Sequence, residues 1–384
     1  MSHNANHDQQ CRGLSLASIA GSPHAGTGSS GAWVLWLAGL IILGMTAWAV
    51  WKLVESSPTL PADRPENPQA VWTLGFDLDN ATVPRESIYS AGPTKDGIPS
   101  LTSPSVVAGA DVARINEKMH GKFLVSGERV IGVELNGESR AYPLSILIWH
   151  EIINDELGGV PIAVTFCPLC DSAVVFERTI GAEVLEFGVS GLLHNSNLLM
   201  YDRRGKRDPV KESLWSQLRM EAIAGPAAAT GAKLILVPSK LAHWGDWLEA
   251  HPDTTVVEFP TRYDRDYDEN PYKKLFLGQQ LLFPVEPKPF TGPPPMTRMV
   301  VVNRGGSWQP YFYDVPGRDQ PRESKIWEQD GLRFSYTPVS AGMDPPVVSV
   351  TAPDGSPLEA VYSFWEPWYA MHPDGAEPVE LRIP

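Results

Sequence analysis

The stretch Val160-Pro161-Ile162-Ala163-Val164-Thr165-Phe166-Cys167-Pro168-Leu169-Cys170-Asp171-Ser172-Ala173-Val174-Val175-Phe176-Glu177 decides the fold of this 384-residue chain. Apolar, β-branched and aromatic residues run up to Cys167 and resume after Asp171, a composition that favours strand over helix. Val160 to Phe166 therefore reads as a buried strand and Ser172 to Ile180 as a second. Cys167 to Asp171 forms the bend between them. Upstream, Val130 to Leu135 and Ser139 to Tyr142 flank Asn136-Gly137, a strong signal for a two-residue hairpin. Leu144 to Ile153, opened by Pro143, predicts a short helix. Downstream, Val184 to Val189 adds a strand, whereas Trp215 to Ile223 and Ala242 to Ala250 predict helices. Further strands are expected at Met299–Asn303, Trp308–Asp314, Leu332–Tyr336 and Pro346–Val350. The 36 prolines and 33 glycines favour short elements joined by turns. The fold class is mainly β (α+β): a β-rich globular region with short helices behind an N-terminal transmembrane helix.

That helix is read from Ala32 to Trp51, which contains no charged residue, with Lys52 ending the run. About 20 apolar residues cross a bilayer as a helix. Trp33 and Trp36 sit at one end and Trp48 and Trp51 at the other, as in an aromatic belt. The organisation expected is a polar tail (1–31), the transmembrane helix (32–54), a linker (55–70), a core region with the cysteine bend (71–276) and a proline-rich β region (277–384). Arg12 is the one basic residue of the tail, while Lys52 and Arg64 follow the helix, so charge bias does not set the orientation. The general habit of short-tailed anchors gives a single-pass protein of the bacterial inner membrane with its C-terminal bulk in the periplasm. Residues 32–51 then contact the lipid bilayer, and the partners expected are other membrane or periplasmic proteins. The formal charge of −14 excludes a nucleic-acid partner, since phosphate binding needs a basic surface. No phosphate loop or dinucleotide fingerprint is present, so no nucleotide cofactor is expected.

Of three cysteines, two form the bend. Three readings of such a pair stay open: a metal knuckle, redox-active thiols, or a structural pair. The strand that follows Cys170 counts against a thioredoxin-like site, in which the pair opens a helix. A metal knuckle supplies two ligands where copper or zinc needs three or four. His150 leads the candidates for a third; Met200 and His194 are weaker, the first reading as core filler and the second as an exposed loop residue. One copper or zinc ion is the cofactor this set would take. Asp264, Asp266 and Asp268 have the opening spacing of a calcium loop, but Glu269 and Leu275 occupy positions that exclude an EF-hand. His251 and His372, each before a proline, read as helix-end residues where a cation is favoured. Trp244-Gly245-Asp246-Trp247 with His251-Pro252-Asp253 also echoes Trp365-Glu366-Pro367-Trp368 with His372-Pro373-Asp374. The C-terminal part thus reads as a diverged, shortened copy.

Ordered blocks from about residue 124 to 276 carry a family resemblance. They are Arg140-Ala141-Tyr142-Pro143, His150-Glu151-Ile152-Ile153-Asn154-Asp155, Thr165 to Cys170, and Phe187-Gly188-Val189-Ser190-Gly191. Next come Met200-Tyr201-Asp202-Arg203, Ser213-Leu214-Trp215-Ser216-Gln217, Ala222-Ile223-Ala224-Gly225 and His251-Pro252-Asp253-Thr254. Together they resemble the bacterial domain of unknown function 3179. The resemblance implies no established activity, but it implies that His150, Cys167, Cys170, Met200, Tyr201, Asp202 and Trp215 belong to a shared pattern. Asp171 departs from it, standing where the family has a small residue. The functional expectations are a membrane-tethered metal-handling or assembly protein, a thiol–disulfide oxidoreductase, or a noncatalytic interaction scaffold.

Overall fold

After three short strands and the helix Val112–Lys118 come a hairpin and a three-stranded meander. Arg129–Leu135 (β1) and Glu138–Pro143 (β2) pair around Asn136 and Gly137, both with positive φ, as the two-residue turn requires. After the helix Leu144–His150 (α1), Ile152–Leu157 (β3), Val160–Cys167 (β4) and Ser172–Glu177 (β5) form an antiparallel meander. This computed structural model describes residues 74–384 apart from 92–93, 119–122, 205–210 and 339–344, together with Met45. The chain divides into two units, Met1–Pro58 and Thr59–Pro384, and the described residues other than Met45 belong to the second. The expected transmembrane segment and linker lie outside the described residues, Met45 excepted. Among the described residues no helix is long and apolar enough to cross a membrane.

A second antiparallel sheet follows: Phe187–His194 (β6), Asn197–Asp202 (β7), Leu214–Ser216 (β8) and Glu221–Ala224 (β9), with Ile88–Ser90 at its far edge. Ser239–His243 (β10) pairs with β1 and leads into Trp244–Ala250 (α2), and Thr255–Val257 (β11) then lies parallel to β2. Residues 258–297 are irregular except for Lys273–Gly278 (α3). Arg298–Arg304 (β12) and Ser307–Asp314 (β13) make a hairpin. Lys325–Gln329 (β14), Leu332–Thr337 (β15) and Val347–Thr351 (β16) form a three-stranded sheet. Ala360–Phe364 (β17) runs into Trp365–Met371 (α4), and Val379–Glu380 (β18) ends the fold. The described residues are thus mainly β with short helices.

The central eight-stranded sheet runs in the order Leu101–Thr102, β3, β4, β5, β17, β12, β13, β18, so strands from both sides of residue 276 share it. Alternation gives it two apolar faces. Val164, Phe166, Val175, Val300 and Tyr362 pack with residues of the β1–β2–β10 sheet and the β14–β16 sheet. Ala163, Cys167, Val174, Phe176, Met299 and Val361 pack against the β6–β9 sheet. The hairpin β12–β13, strand β17, α4 and β18 repeat the order and pairing senses of β1–β2, β10, α2 and β11. The insertion between β2 and β10 carries the cysteine bend, and that between β13 and β17 carries the β14–β16 sheet.

Three expectations need correction. The helix expected to reach Ile153 stops at His150, because Ile152 and Ile153 pair with Thr165 and Val164 and bury on opposite faces of the sheet. Trp215 to Ile223 is a hairpin: Trp215 pairs with Met200 and Ala222, and Met220 takes φ +58 to close the turn. The strand expected from Ser172 to Ile180 breaks after Glu177, and Thr179–Ile180 pairs instead with Glu183–Val184.

Candidate functional site

Cys167 is the last residue of β4, and Cys170 closes the turn before β5. Asp171 at φ +48 then reverses the chain. The period of two puts Cys167 on the same face as Thr165, towards the β6–β9 sheet, with Phe166 on the other. Both sulfurs are free thiols and both are buried. Donors and acceptors converge on Cys170: its Sγ lies 3.1 Å from Ser172 Oγ, and Asn197 Nδ2 donates to it over 3.2 Å. Gln217 organises these groups. Its Oε1 accepts from Ser172 Oγ (2.5 Å) and Asn197 Nδ2 (2.8 Å), while its Nε2 donates to Thr165 Oγ1 (2.8 Å). Cys167 Sγ faces the Ser196 carbonyl at 3.9 Å.

This surrounding treats the two thiols differently. Burial pushes Cys167 well above the ordinary thiol value, and the neighbouring Cys170 adds to the rise. Burial acts on Cys170 in the same direction, but hydrogen bonds with Cys167, Ser172 and Asn197 outweigh it and bring that thiol below its ordinary value. Of the two thiols, Cys170 is therefore the one that ionises first.

Glu151 lies between α1 and β3. It caps α1 with φ +55, its N–H donates to the Leu147 carbonyl, and its carbonyl accepts from Phe166 N–H at 2.8 Å. The side chain is buried, and no cation pairs with it among the described residues. Burial raises its value well above the carboxylate range, and charge on Cys167 raises it further. Tyr272 is raised by burial and then by both Glu151 and Cys167, so the three groups share one field.

His150 is turned elsewhere. Its Nδ1 donates to the Pro99 carbonyl over 2.7 Å, which leaves Nε2 to accept from the Tyr267 hydroxyl at 2.8 Å. The ring also lies against Tyr263 and Tyr267. Burial lowers it to about 4, and Arg265 and Arg262 assist. The imidazole is neutral with both nitrogens engaged, and it does not join the thiols. Among the described residues no group of three or more His, Cys, Asp or Glu is placed to hold a metal ion.

His194 is buried at the end of β6 instead of exposed, lowered to about 4 by burial and Arg219, and its Nδ1 has no partner among the described residues. Met200 lies in the same apolar cluster as both cysteines. Trp215 packs edge-on against Phe187. Tyr201 donates to Asp96 at 2.5 Å, and Asp202 accepts from Ser213 N–H and pairs with Arg204 at 3.0 Å, so both brace β7 away from the sulfurs. His251 and His372 do end helices, but each is lowered by burial and stacks on a tryptophan one turn earlier. They act as neutral caps. Asp264, Asp266 and Asp268 are exposed.

Asp171 is clamped between sheets. Arg129 of β1 contacts both its oxygens at 3.1 and 3.2 Å, and Arg298 of β12 donates to it at 2.6 Å while also reaching Asp314. Burial alone would raise this carboxyl, yet the two guanidiniums hold it below the usual range. Sequence reading passed over Glu151, Ser172, Asn197 and Gln217 as chemistry. Glu151 and Gln217 lay inside the shared blocks, but pairing between distant strands is what brings Asn197 and Gln217 to the cysteine turn.

No curated protein and no solved structure matches the chain. The sequence model of one family, described as "Protein of unknown function (DUF3179)", matches residues 95–326, more than half of the chain and all of the cysteine site. The chain belongs to that family.

Proposed function

We propose that this protein is a thiol–disulfide oxidoreductase whose reacting group is the Cys167–Cys170 pair. The observation that carries the reading is the asymmetry of the two sulfurs: Asn197 Nδ2 donates to Cys170 Sγ, which also lies within hydrogen-bond reach of Ser172 Oγ, while Cys167 Sγ is enclosed against the Ser196 carbonyl. A thiol whose charged form is held by hydrogen bonds is both the better nucleophile at neutral pH and the better leaving group. The partner is a disulfide, which accepts two electrons as the pair closes. Tethering by residues 32–51 on the periplasmic face would keep the pair in a compartment where disulfides form. Both sulfurs are buried, so exchange calls for a local opening that exposes them.

Equilibration of the full-length chain, carrying Cys11→Ser, with glutathione and dithiothreitol buffers tests the reading. A reversible couple with a potential of about −180 to −270 mV, in the range of exchanging pairs, is expected. A value below about −300 mV identifies a structural pair and overturns it. So does copper or zinc bound stoichiometrically to the purified protein and lost in Cys167→Ser, which would return the pair to metal handling.

A further inference from the structure

Each hydroxyl carries one proton, and each side-chain amide has one accepting and one donating end, so a closed polar network has a direction. Thr165, Cys170, Ser172, Asn197 and Gln217 form such a network, and all five are buried. The Thr165 hydroxyl gives its proton to the Val174 carbonyl (2.7 Å), so its oxygen accepts from Gln217 Nε2 (2.8 Å) and Gln217 Oε1 faces the cysteine turn. Leu218 N–H donates to Asn197 Oδ1 (3.1 Å). The other end of that amide, Nδ2, is thereby aimed at Gln217 Oε1 (2.8 Å), Cys170 Sγ (3.2 Å) and Ser172 Oγ (3.3 Å). Ser172 Oγ lies 2.5 Å from Gln217 Oε1, which only accepts, so the serine proton points to the glutamine. The same serine oxygen lies 3.1 Å from Cys170 Sγ. With its proton committed, it can only accept there, and the Cys170 thiol donates. The other acceptor within reach of that thiol, the Cys167 carbonyl, is at 3.9 Å.

Ionisation of Cys170 removes the donor and leaves two acceptors facing each other across that 3.1 Å. Rotation of one C–O bond relieves the conflict: the serine proton turns from Gln217 Oε1 to Cys170 Sγ, and Gln217 keeps the Asn197 donor. We infer that Ser172 is the positioning residue that holds charge on the Cys170 sulfur, and that Gln217 restrains it by competing for the same proton. The inference rests on the thiol–disulfide reading above and gives its nucleophile a switch. Cys170 loses its proton to solvent, and Ser172 turns to the thiolate. The sulfur then attacks a partner disulfide, whose S–S bond breaks with the electron pair leaving on one partner thiolate. A sulfur bonded to sulfur carries no charge, so the serine proton returns to Gln217. Burial and the charge of Asp171 both oppose ionisation of Cys170, and Cys167 hydrogen-bonds to it. Asp171 itself is held by Arg129 and Arg298. Replacing Ser172 or Gln217 with a neutral residue therefore changes no charge at the site.

The test uses the full-length Cys11→Ser chain. Iodoacetamide alkylation across pH, with the modified cysteine assigned by peptide fragmentation in the mass spectrometer, reads the inflection of Cys170. Ser172→Ala should move that inflection up by about one pH unit. Gln217→Met frees the serine proton and should move it down. In the Ser172→Ala background the same glutamine change should no longer lower it, because Gln217 acts through the serine. Ser172→Thr keeps a hydroxyl and should retain the wild-type inflection; with Gln217→Met it carries the test should the alanine variant fail to fold. An unchanged inflection in Ser172→Ala overturns the inference and leaves the redox reading standing. Inflections that rise together in Ser172→Ala and Gln217→Met mark a loosened turn, a structural role, and overturn it as well. Dithiodipyridine, a small aromatic disulfide, releases one thiopyridone on attack and a second on closure. Release of a single equivalent by the wild type means that the pair does not close, and both readings then fall.

Discussion

His150 and Glu151 are adjacent in the chain and opposite in role. The imidazole was the more conspicuous of the two in sequence, because histidine is the usual companion of a cysteine pair in a metal site. The structure commits both its nitrogens to Pro99 and Tyr267, and the carboxyl beside it is buried, which raises it well above the carboxylate range. What divides them is a single positive φ at residue 151, and no local propensity announces such a backbone reversal. The neutral state of His150 has a consequence for stability. Unfolded, the rings of His150 and His194 take up a proton near pH 6.5; folded, near pH 4. Between those values the unfolded chain holds more protons, so the contribution is full above pH 6.5 and is lost as pH falls towards 4. Chemical denaturation across this range should show a loss on the order of 3 kcal/mol for each ring. Replacing each by Gln isolates its share from that of Glu151, whose raised value has the opposite slope.

The cysteine turn is the element that sequence described best. Strand, bend and strand follow from β-branched runs on either side of Cys167 and Cys170, and the register of β4 on β5 agrees with that reading. Hairpins closed by a non-glycine residue in the left-handed region were harder. The β8–β9 pair looked helical because Trp215, Leu218 and Ala222 recur at helix-like spacing, although they are set by pairing to β7 and by the turn at Met220. Asp171 belongs to this scale too. Its carboxylate joins Arg129 of β1 to Arg298 of β12 behind the turn, so the residue that departs from the family's small side chain anchors the bend to the β1–β2–β10 sheet and to a further strand of its own sheet. Asp171→Asn leaves Arg129 and Arg298 short of a buried counter-charge and should destabilise the protein by about 3 kcal/mol. The same change removes a charge that opposes ionisation of Cys170, so the thiol value should fall further. Urea denaturation and pH-dependent alkylation measure the two effects separately; unchanged stability would show that Asp314 alone can satisfy Arg298.

In the whole molecule, the two similar sets of strands and helices each end in a tryptophan–histidine stack, Trp247 with His251 and Trp368 with His372, with ring centroids 3.9 and 4.0 Å apart. These stacks were visible in sequence as repeated words, but the sheet that unites the two halves was not, because no local pattern states which edge will meet which. The meeting point is narrow. A single register pair, Ala173 with Tyr362, joins β5 to β17, and the hydrogen bond from Phe364 N–H to the Cys170 carbonyl continues it. A chain interrupted before Arg298 would therefore lose the neighbour of Ser172–Glu177 and leave a bare strand margin beside the thiols. Such a margin recruits whatever extended backbone it meets. Fragments ending there should self-associate during size-exclusion chromatography, and the intact chain should not. Complete synthesis of the C-terminal strands would then act as a safeguard, shielding a sticky, oxidisable rim from other copies of itself.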